Sequence, residues 1–332
     1  MKNIFLILLL FGMNVMAQSV FKQNEQLVST YSIVARDSVT GEMGVAVQSH
    51  WFNVGAIVGW GEAGVGVIAT QSFVNPAFGL KGLDLLKQGK TPQQVVDELI
   101  AGDDGRDFRQ LAVLDANGNT ASYTGSKCVD AAGNIAGRNY SVQANLMLSS
   151  EVWGAMEKAF NESTGRLAER MLASLEAAQN VGGDIRGMQS ASIMVWKGNS
   201  TGKPWEDKLM DLRVEDNPAP LAELKRLLEV QRAYEHMNAG DLAVEKNDMT
   251  LAMNEYNAAM QMFPDNLEMK YWTAVTLANT GRLDEALPLF NIVFATDKKW
   301  KTLIPRLPKS GILNVSDDDM KKIMSVGEKN EH

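Results

Sequence analysis

Thr30-Tyr31-Ser32-Ile33-Val34-Ala35-Arg36, followed by Asp37-Ser38-Val39-Thr40-Gly41 and then Glu42 to Ser49, is the stretch whose reading decides the fold. Its first seven residues are mostly β-branched, aromatic or small, the composition of a pleated and half-buried strand. The Thr40-Gly41 pair offers a turn, and Glu42 to Ser49 returns as a second strand, so the stretch reads as a β-hairpin. Val54 to Trp60 and Val65 to Thr70 repeat the arrangement, with Gly55, Gly59, Gly61, Gly64 and Gly66 allowing tight turns. None of these glycines has the spacing of a phosphate-binding loop.

Further along, Pro76 to Lys87 carries leucines at helical intervals, and Thr91-Pro92-Gln93-Gln94 supplies an N-cap, a first-turn Pro and a capping box for a helix ending near Gly102. Phe108 to Asp115 and Asn119 to Thr124 predict a hairpin around Asn117-Gly118. Helices follow over Glu151 to Phe160 and Leu167 to Ala178, then a Gly182-Gly183-Asp184 loop and a strand from Gln189 to Trp196. Strands, two helices, strands, two helices and strands make an α+β domain rather than a regular βαβ repeat.

Before this domain, Lys2, the eight apolar residues Ile4 to Phe11, and Val15-Met16-Ala17 read as a secretory signal over residues 1–17. The apolar run is too short to span a bilayer, which needs about 20 residues. The mature chain is expected to start near Gln18, to be exported to the periplasm or the medium, and to have no membrane anchor after cleavage. Residues 18–29 form a spacer or propeptide.

Beyond the domain, Gly198 to Pro220 is rich in Gly, Pro and Asp and marks a boundary, placing one domain at 30–217 and a second at 218–330. The second reads as helical throughout. Ala252, Tyr256 and Ala259 are answered 34 residues later by Ala286, Phe290 and Val293. That period belongs to tetratricopeptide repeats. About two such repeats need neighbouring helices to complete a core, and Leu221 to Met237 and the segment after Trp300 are the candidates.

Composition narrows the function. A formal charge of −8 without a basic block argues against nucleic acid as a partner. Cys128 is the single cysteine, so no internal disulfide forms. His50, His236 and His332 are too scattered for a zinc motif. A serine triad would need His50, yet no G-x-S-x-G elbow accompanies it.

Several stretches together resemble the domain-of-unknown-function family 1028, assigned to the N-terminal-nucleophile (Ntn) hydrolase superfamily. They are Thr30 to Asp37, Gly44 to Ser49, Ala69-Thr70-Gln71, Asn75-Pro76, Arg106 with Arg109-Gln110, and Thr124-Gly125. Gln143 with Asn145, Gly182-Gly183-Asp184, Arg186-Gly187, Gln189-Ser190 and Leu212-Arg213-Val214 complete the series in order. The resemblance implies a four-layer αββα sandwich. It also implies that the residue opening the first strand, here Thr30, is the nucleophile.

The chemistry behind that implication is simple. A hydroxyl needs a base at neutral pH, and the free α-amine of the same residue, with a pKa of roughly 7.7 to 8.0, is one. Such a site needs no histidine, metal or organic cofactor. Thr30 acquires that amine only if the chain is cut between Ser29 and Thr30. Ser32, two residues on and on the same face of the strand, is the second candidate. No Lys lies between Thr30 and Lys81, so a nearby cation would be Arg36, Arg106, Arg109 or Arg186. Asn75, Gln143 and Asn145 are candidate amide donors to an oxyanion, and Arg109 and Arg186, with Asp184, candidate substrate or ion-pair residues. The expected activity is hydrolysis of an amide in a small molecule or short peptide. The competing reading is a silent binding module whose helical repeats recruit a protein or peptide.

Overall fold

The computed structural model describes residues 26–327; the expected signal at 1–17 and most of the spacer lie outside them. The chain divides into two compact units between Leu224 and Lys225. The first is a mixed α+β unit with antiparallel sheets.

One sheet holds β1 (Gln26–Val28), β4 (Gly59–Glu62), β5 (Gly66–Val74), β6 (Arg109–Asp115) and β7 (Thr120–Thr124). The other runs in the order β11 (Lys208–Val214), β10 (Ser190–Trp196), β3 (Met43–Ser49), β2 (Thr30–Arg36), β9 (Tyr140–Ala144), β8 (Gly133–Gly137). Alternation along each strand decides which side chains meet. Val34, Val45, Val47 and Met194 from the second sheet join Val67, Ala69, Ala112 and Leu114 from the first in one apolar cluster, so the sheets face each other. The opposite parity of the first sheet, with Ile68, Leu111, Val113 and Ala121, is covered by Phe78, Leu83, Leu86, Val95 and Leu99 from α1 (Ala77–Lys87) and α2 (Pro92–Ala101). On the outer side of the second sheet, α4 (Leu167–Asn180) contacts β2, β3 and β10, while α3 (Val152–Glu162) contacts β8 and β9.

Local chemistry accounts for the boundaries. Thr91 accepts from the Gln94 amide while the Gln94 side chain accepts from the Thr91 amide, the reciprocal cap expected for α2. Gly118 has φ +80°, which the tight β6–β7 turn requires and a side chain would strain. Val54–Ala56 is a 3-10 turn rather than the start of a strand, because the Asn53 side chain caps it at the Ala56 amide; β4 begins only at Gly59. The Gly-, Pro- and Asp-rich stretch after Gly198 also contains a strand, since Lys208–Val214 pairs with β10 at the sheet edge.

The second unit is helical, with α7 (Met249–Met262), α8 (Leu267–Asn279), α9 (Leu283–Thr296), the short α10 (Lys299–Leu303) and α11 (Asp317–Ser325). The long α6 (Pro220–Glu245), which continues well past Met237, begins before the division and lies mostly in this unit, whereas the short α5 (Pro204–Asp207) belongs to the first. Ala252, Tyr256 and Ala259 are fully buried, as are their counterparts Ala286, Phe290 and Val293. Gly240 lies inside α6, and a Cβ there would sit 2.3 Å from the Tyr256 ring, so close helix packing excludes a side chain.

Candidate functional site

Thr30 opens β2 and is fully buried between the sheets. The chain reaches it from the other sheet: β1 pairs antiparallel with β5, Leu27 opposite Phe73 and Val28 opposite Ser72, and Ser29 alone bridges β1 to β2. The Thr30 hydroxyl donates to the Val28 carbonyl at 2.8 Å. Its amide nitrogen is part of the Ser29–Thr30 peptide bond, and the described end of the spacer, Gln26–Val28, is a strand just before the nucleophile candidate.

The carbonyl of that bond is surrounded by donors. Ser49, opposite Thr30 on β3, donates its hydroxyl to the Ser29 oxygen at 2.5 Å, and Arg186 donates a guanidinium N–H to the same oxygen at 2.9 Å. Asp184 fixes Arg186 through two further bonds of 3.0 and 2.7 Å and also accepts from the His50 amide at 3.3 Å. The Gly182-Gly183-Asp184 loop makes this possible: both glycines have positive φ, and the loop ends beside β3. Burial, and secondarily the Asp184 charge, raise the pKa of Tyr31 well above the ordinary phenol value. Its hydroxyl donates to Gln179 at 3.0 Å.

Deeper between the sheets lies an uncharged polar network. Ser32 donates to Gln71 at 2.5 Å and accepts from Gln143 at 2.6 Å. Gln71 donates to Gln110 at 2.7 Å and to the Thr30 carbonyl at 3.2 Å. Gln110 in turn accepts from Asn145 at 2.9 Å and donates to Thr124 and to the Ala144 carbonyl at 2.8 Å each. The Asn145 backbone amide donates to the Thr30 carbonyl at 3.1 Å, and the buried Asn145 Oδ1 has no partner.

Thr30, Ser32, Gln143, Asn145, Asp184 and Arg186 are therefore brought together. Asn75 and Arg109 are not. The Asn75 side chain accepts from the Ala77 amide at the start of α1 and lines a cleft of about 380 Å³ with Phe78, Asp84, Glu98 and Asp103. Arg109 has the parity of the α1–α2 side, where it makes a buried two-point pair with Asp103 and donates to the Phe73 carbonyl at 2.6 Å. Ser49, Gln71 and Gln110 lie in the recognised stretches yet were not among the candidates. A polar residue at an inward parity, as in Val67-x-Ala69-x-Gln71, is the signal that finds them.

The other candidates for chemistry lie apart. Burial raises the Cys128 thiol pKa, and its Sγ donates to the Arg109 carbonyl, which suits a core thiol rather than a nucleophile. His50 Nδ1 is buried without a partner and so makes no contact to a carboxylate, as a triad would need. No group of His, Cys, Asp and Glu among the described residues could hold a metal ion.

The family of unknown function designated DUF1028 matches residues 30–224, well over half of the chain. The chain belongs to this family. A crystal structure of a family member from Silicibacter pomeroyi is similar, with 31% identity and a TM-score of 0.55 over 60% of this chain and 88% of the other. No curated protein matches the chain. The matched family region ends at Leu224, the same residue at which the first compact unit ends. Among the described residues no helix is long and apolar enough to cross a membrane.

Proposed function

We propose that this member of the family is an exported amidohydrolase of the Ntn type, with the first unit a four-layer αββα sandwich and Thr30 its nucleophile. The protein described here is then the precursor. The observation that carries the reading is the Ser29 carbonyl, held by the Ser49 hydroxyl and the Arg186 guanidinium next to a buried threonine hydroxyl.

That arrangement fits a cut made by the protein itself. Thr30 Oγ1 adds to the Ser29 carbonyl carbon, and the oxyanion that forms takes the two hydrogen bonds already aimed at its oxygen. Collapse breaks the bond to the Thr30 nitrogen, which receives the hydroxyl proton, and leaves an ester on Thr30. Water hydrolyses the ester, giving the Ser29 carboxylate and a Thr30 with a free α-amine. In later turnovers that amine accepts the hydroxyl proton as Thr30 attacks a substrate amide and passes it to the leaving nitrogen, and water then hydrolyses the acyl ester to free Thr30. Gln143, Asn145 and the Asp184–Arg186 pair position these groups, and no metal or organic cofactor is called for.

The competing reading, a silent module that binds a partner, is favoured by one feature. With β1 paired to β5, Thr30 has no amine. In that reading the tetratricopeptide-like helices of the second unit recruit a protein or peptide. Mass spectrometry of the purified full chain separates the two. A fragment beginning at Thr30 that appears in the parent protein, and not in Thr30→Ala, supports the enzyme; an intact Ser29–Thr30 bond in both supports the silent module.

A further inference from the structure

The β1 segment marks a place on the first sheet that is built to take a strand. One edge of β5 is divided between two partners: β4 covers Gly66–Ala69 and β1 covers Ser72–Val74, while β6 lies along the other edge. Ser72 has φ 68°, a left-handed conformation uncommon outside glycine, and it reverses the alternation of β5. Ile68 belongs to the helix-covered cluster, whereas Val74, of the same parity, belongs to the cluster between the sheets. The reversal thus turns the end of β5 into a separate docking edge.

Resting on the hydrolase reading above, we propose that this edge is the substrate's binding site, and that the substrate is a short extended peptide added to β5 as an antiparallel strand. β1 is its internal stand-in. Alternate backbone groups of such a peptide bond to Ser72–Val74, as in other strand-addition modes of recognition. The antiparallel direction delivers its carbonyl to Ser49 and Arg186, where the Ser29 carbonyl now lies.

The stand-in also states what side chains are accepted. Val28 is fully buried and clusters with Val47, Val54 and Val74, so the second residue before the cut amide is compact and apolar; a carboxylate there would lie among apolar side chains. Ser29 is fully buried too, its hydroxyl without a partner, so the residue contributing the carbonyl is small. Leu27 is only half-buried, and the third position is correspondingly permissive.

Binding is tested apart from hydrolysis in the full chain carrying Thr30→Ala. A fluorescein-labelled peptide amide with the sequence of residues 26–29 is titrated and its anisotropy followed. Thr30→Ala alone, with β1 in place as a tethered competitor, is expected to bind it only at millimolar concentration, whereas adding Val28→Asp or, at the less buried position, Leu27→Pro frees the edge and gives binding at much lower concentration. An Asp in place of the peptide's Val should weaken binding at least about tenfold. Backbone N-methylation should weaken it at alternate positions only. Folded variants that bind no better than Thr30→Ala, or an Asp peptide that binds equally well, overturn the proposal.

Should both β1 variants fail to fold, hydrogen exchange on Thr30→Ala decides. Millimolar peptide should speed deuterium uptake at Leu27 and Val28 and leave Phe73 and Val74 protected, and unchanged uptake overturns the proposal. Peptide binding in these variants without turnover by the parent protein would remove the hydrolase reading and leave the edge. Turnover of amides without peptide binding would do the reverse.

Discussion

Arg186 donates from Nη2 to the carbonyl oxygen of Ser29 at 2.9 Å while Asp184 accepts from Nε and the same Nη2. One donor is thereby fixed on the carbonyl that precedes the candidate nucleophile. Losing a donor to a developing oxyanion costs about a hundredfold to a thousandfold in rate. Arg186→Met is expected to slow the appearance of the Thr30 amino terminus by that order, measured by mass spectrometry over time. Arg186→Lys should fall between the two. A cut that proceeds at the parental rate in Arg186→Met would remove this residue from the site.

Arg109 offers the contrast. Its buried pair with Asp103 lies on the α1–α2 side of the first sheet. Removing one partner of a buried ion pair takes from the other charge its main compensation, here the two-point contact to Asp103, at a cost of about 3–5 kcal/mol. Arg109→Met should lower stability to denaturant by about that amount and leave cutting before Thr30 unaffected in the folded fraction. A selective loss of cutting would place Arg109 at the site after all.

Gln110 sits at the centre of the uncharged network, touching Gln71, Asn145, Thr124 and the Ala144 carbonyl. Each buried group deprived of its partner costs about 1–3 kcal/mol, and some relax toward each other. Gln110→Leu is expected to destabilise the first unit by about 3 kcal/mol or more in urea unfolding. An effect below about 1 kcal/mol would mean that the network is easily rearranged.

These residues show what the sequence made legible. Alternation and turn residues were enough for β2, β3, β6, β7 and β10 and for the four helices that cover the sheets. β8 and β9 escaped because Gly133-Asn134-Ile135-Ala136-Gly137 is a partly exposed edge with no clean alternation. β1 escaped because three residues in an expected spacer carry no periodicity, and β11 because it lies within the Gly-, Pro- and Asp-rich stretch that marks the domain boundary. At the site, Asn75 and Arg109 stood in the right stretches, but a turn and a strand parity took them elsewhere. Arg186 and Asp184 were legible as residues, whereas the meeting of Arg186 with Ser29 depends on where a loop 157 residues away returns, which no local pattern records.

Tyr31 supplies a pH dependence. Burial and the neighbouring Asp184 raise its folded pKa well above the unfolded value near 10. The folded state therefore holds its proton longer than the unfolded state, so the stability tied to the neutral phenol is complete below about pH 10 and is lost as pH rises through the folded pKa. Tyr31→Phe should cost about 1 kcal/mol near neutrality, since Gln179 loses a donor, yet flatten the fall in stability above pH 10. Parallel urea titrations at neutral and alkaline pH measure both, and an unchanged alkaline slope would exclude Tyr31 as its source.

Ser29 is one residue long as a connection, yet it ties a strand of one sheet to a strand of the other. Cutting after it makes a clasp into two free ends, and no reverse reaction restores it under hydrolytic conditions. Under the proposed cut, a molecule that unfolds afterwards must refold without that connection. On the proposed reading, folding first and cutting second is part of what specifies the active structure, and endurance after the cut is a matter of how slowly the molecule opens rather than how readily it re-forms.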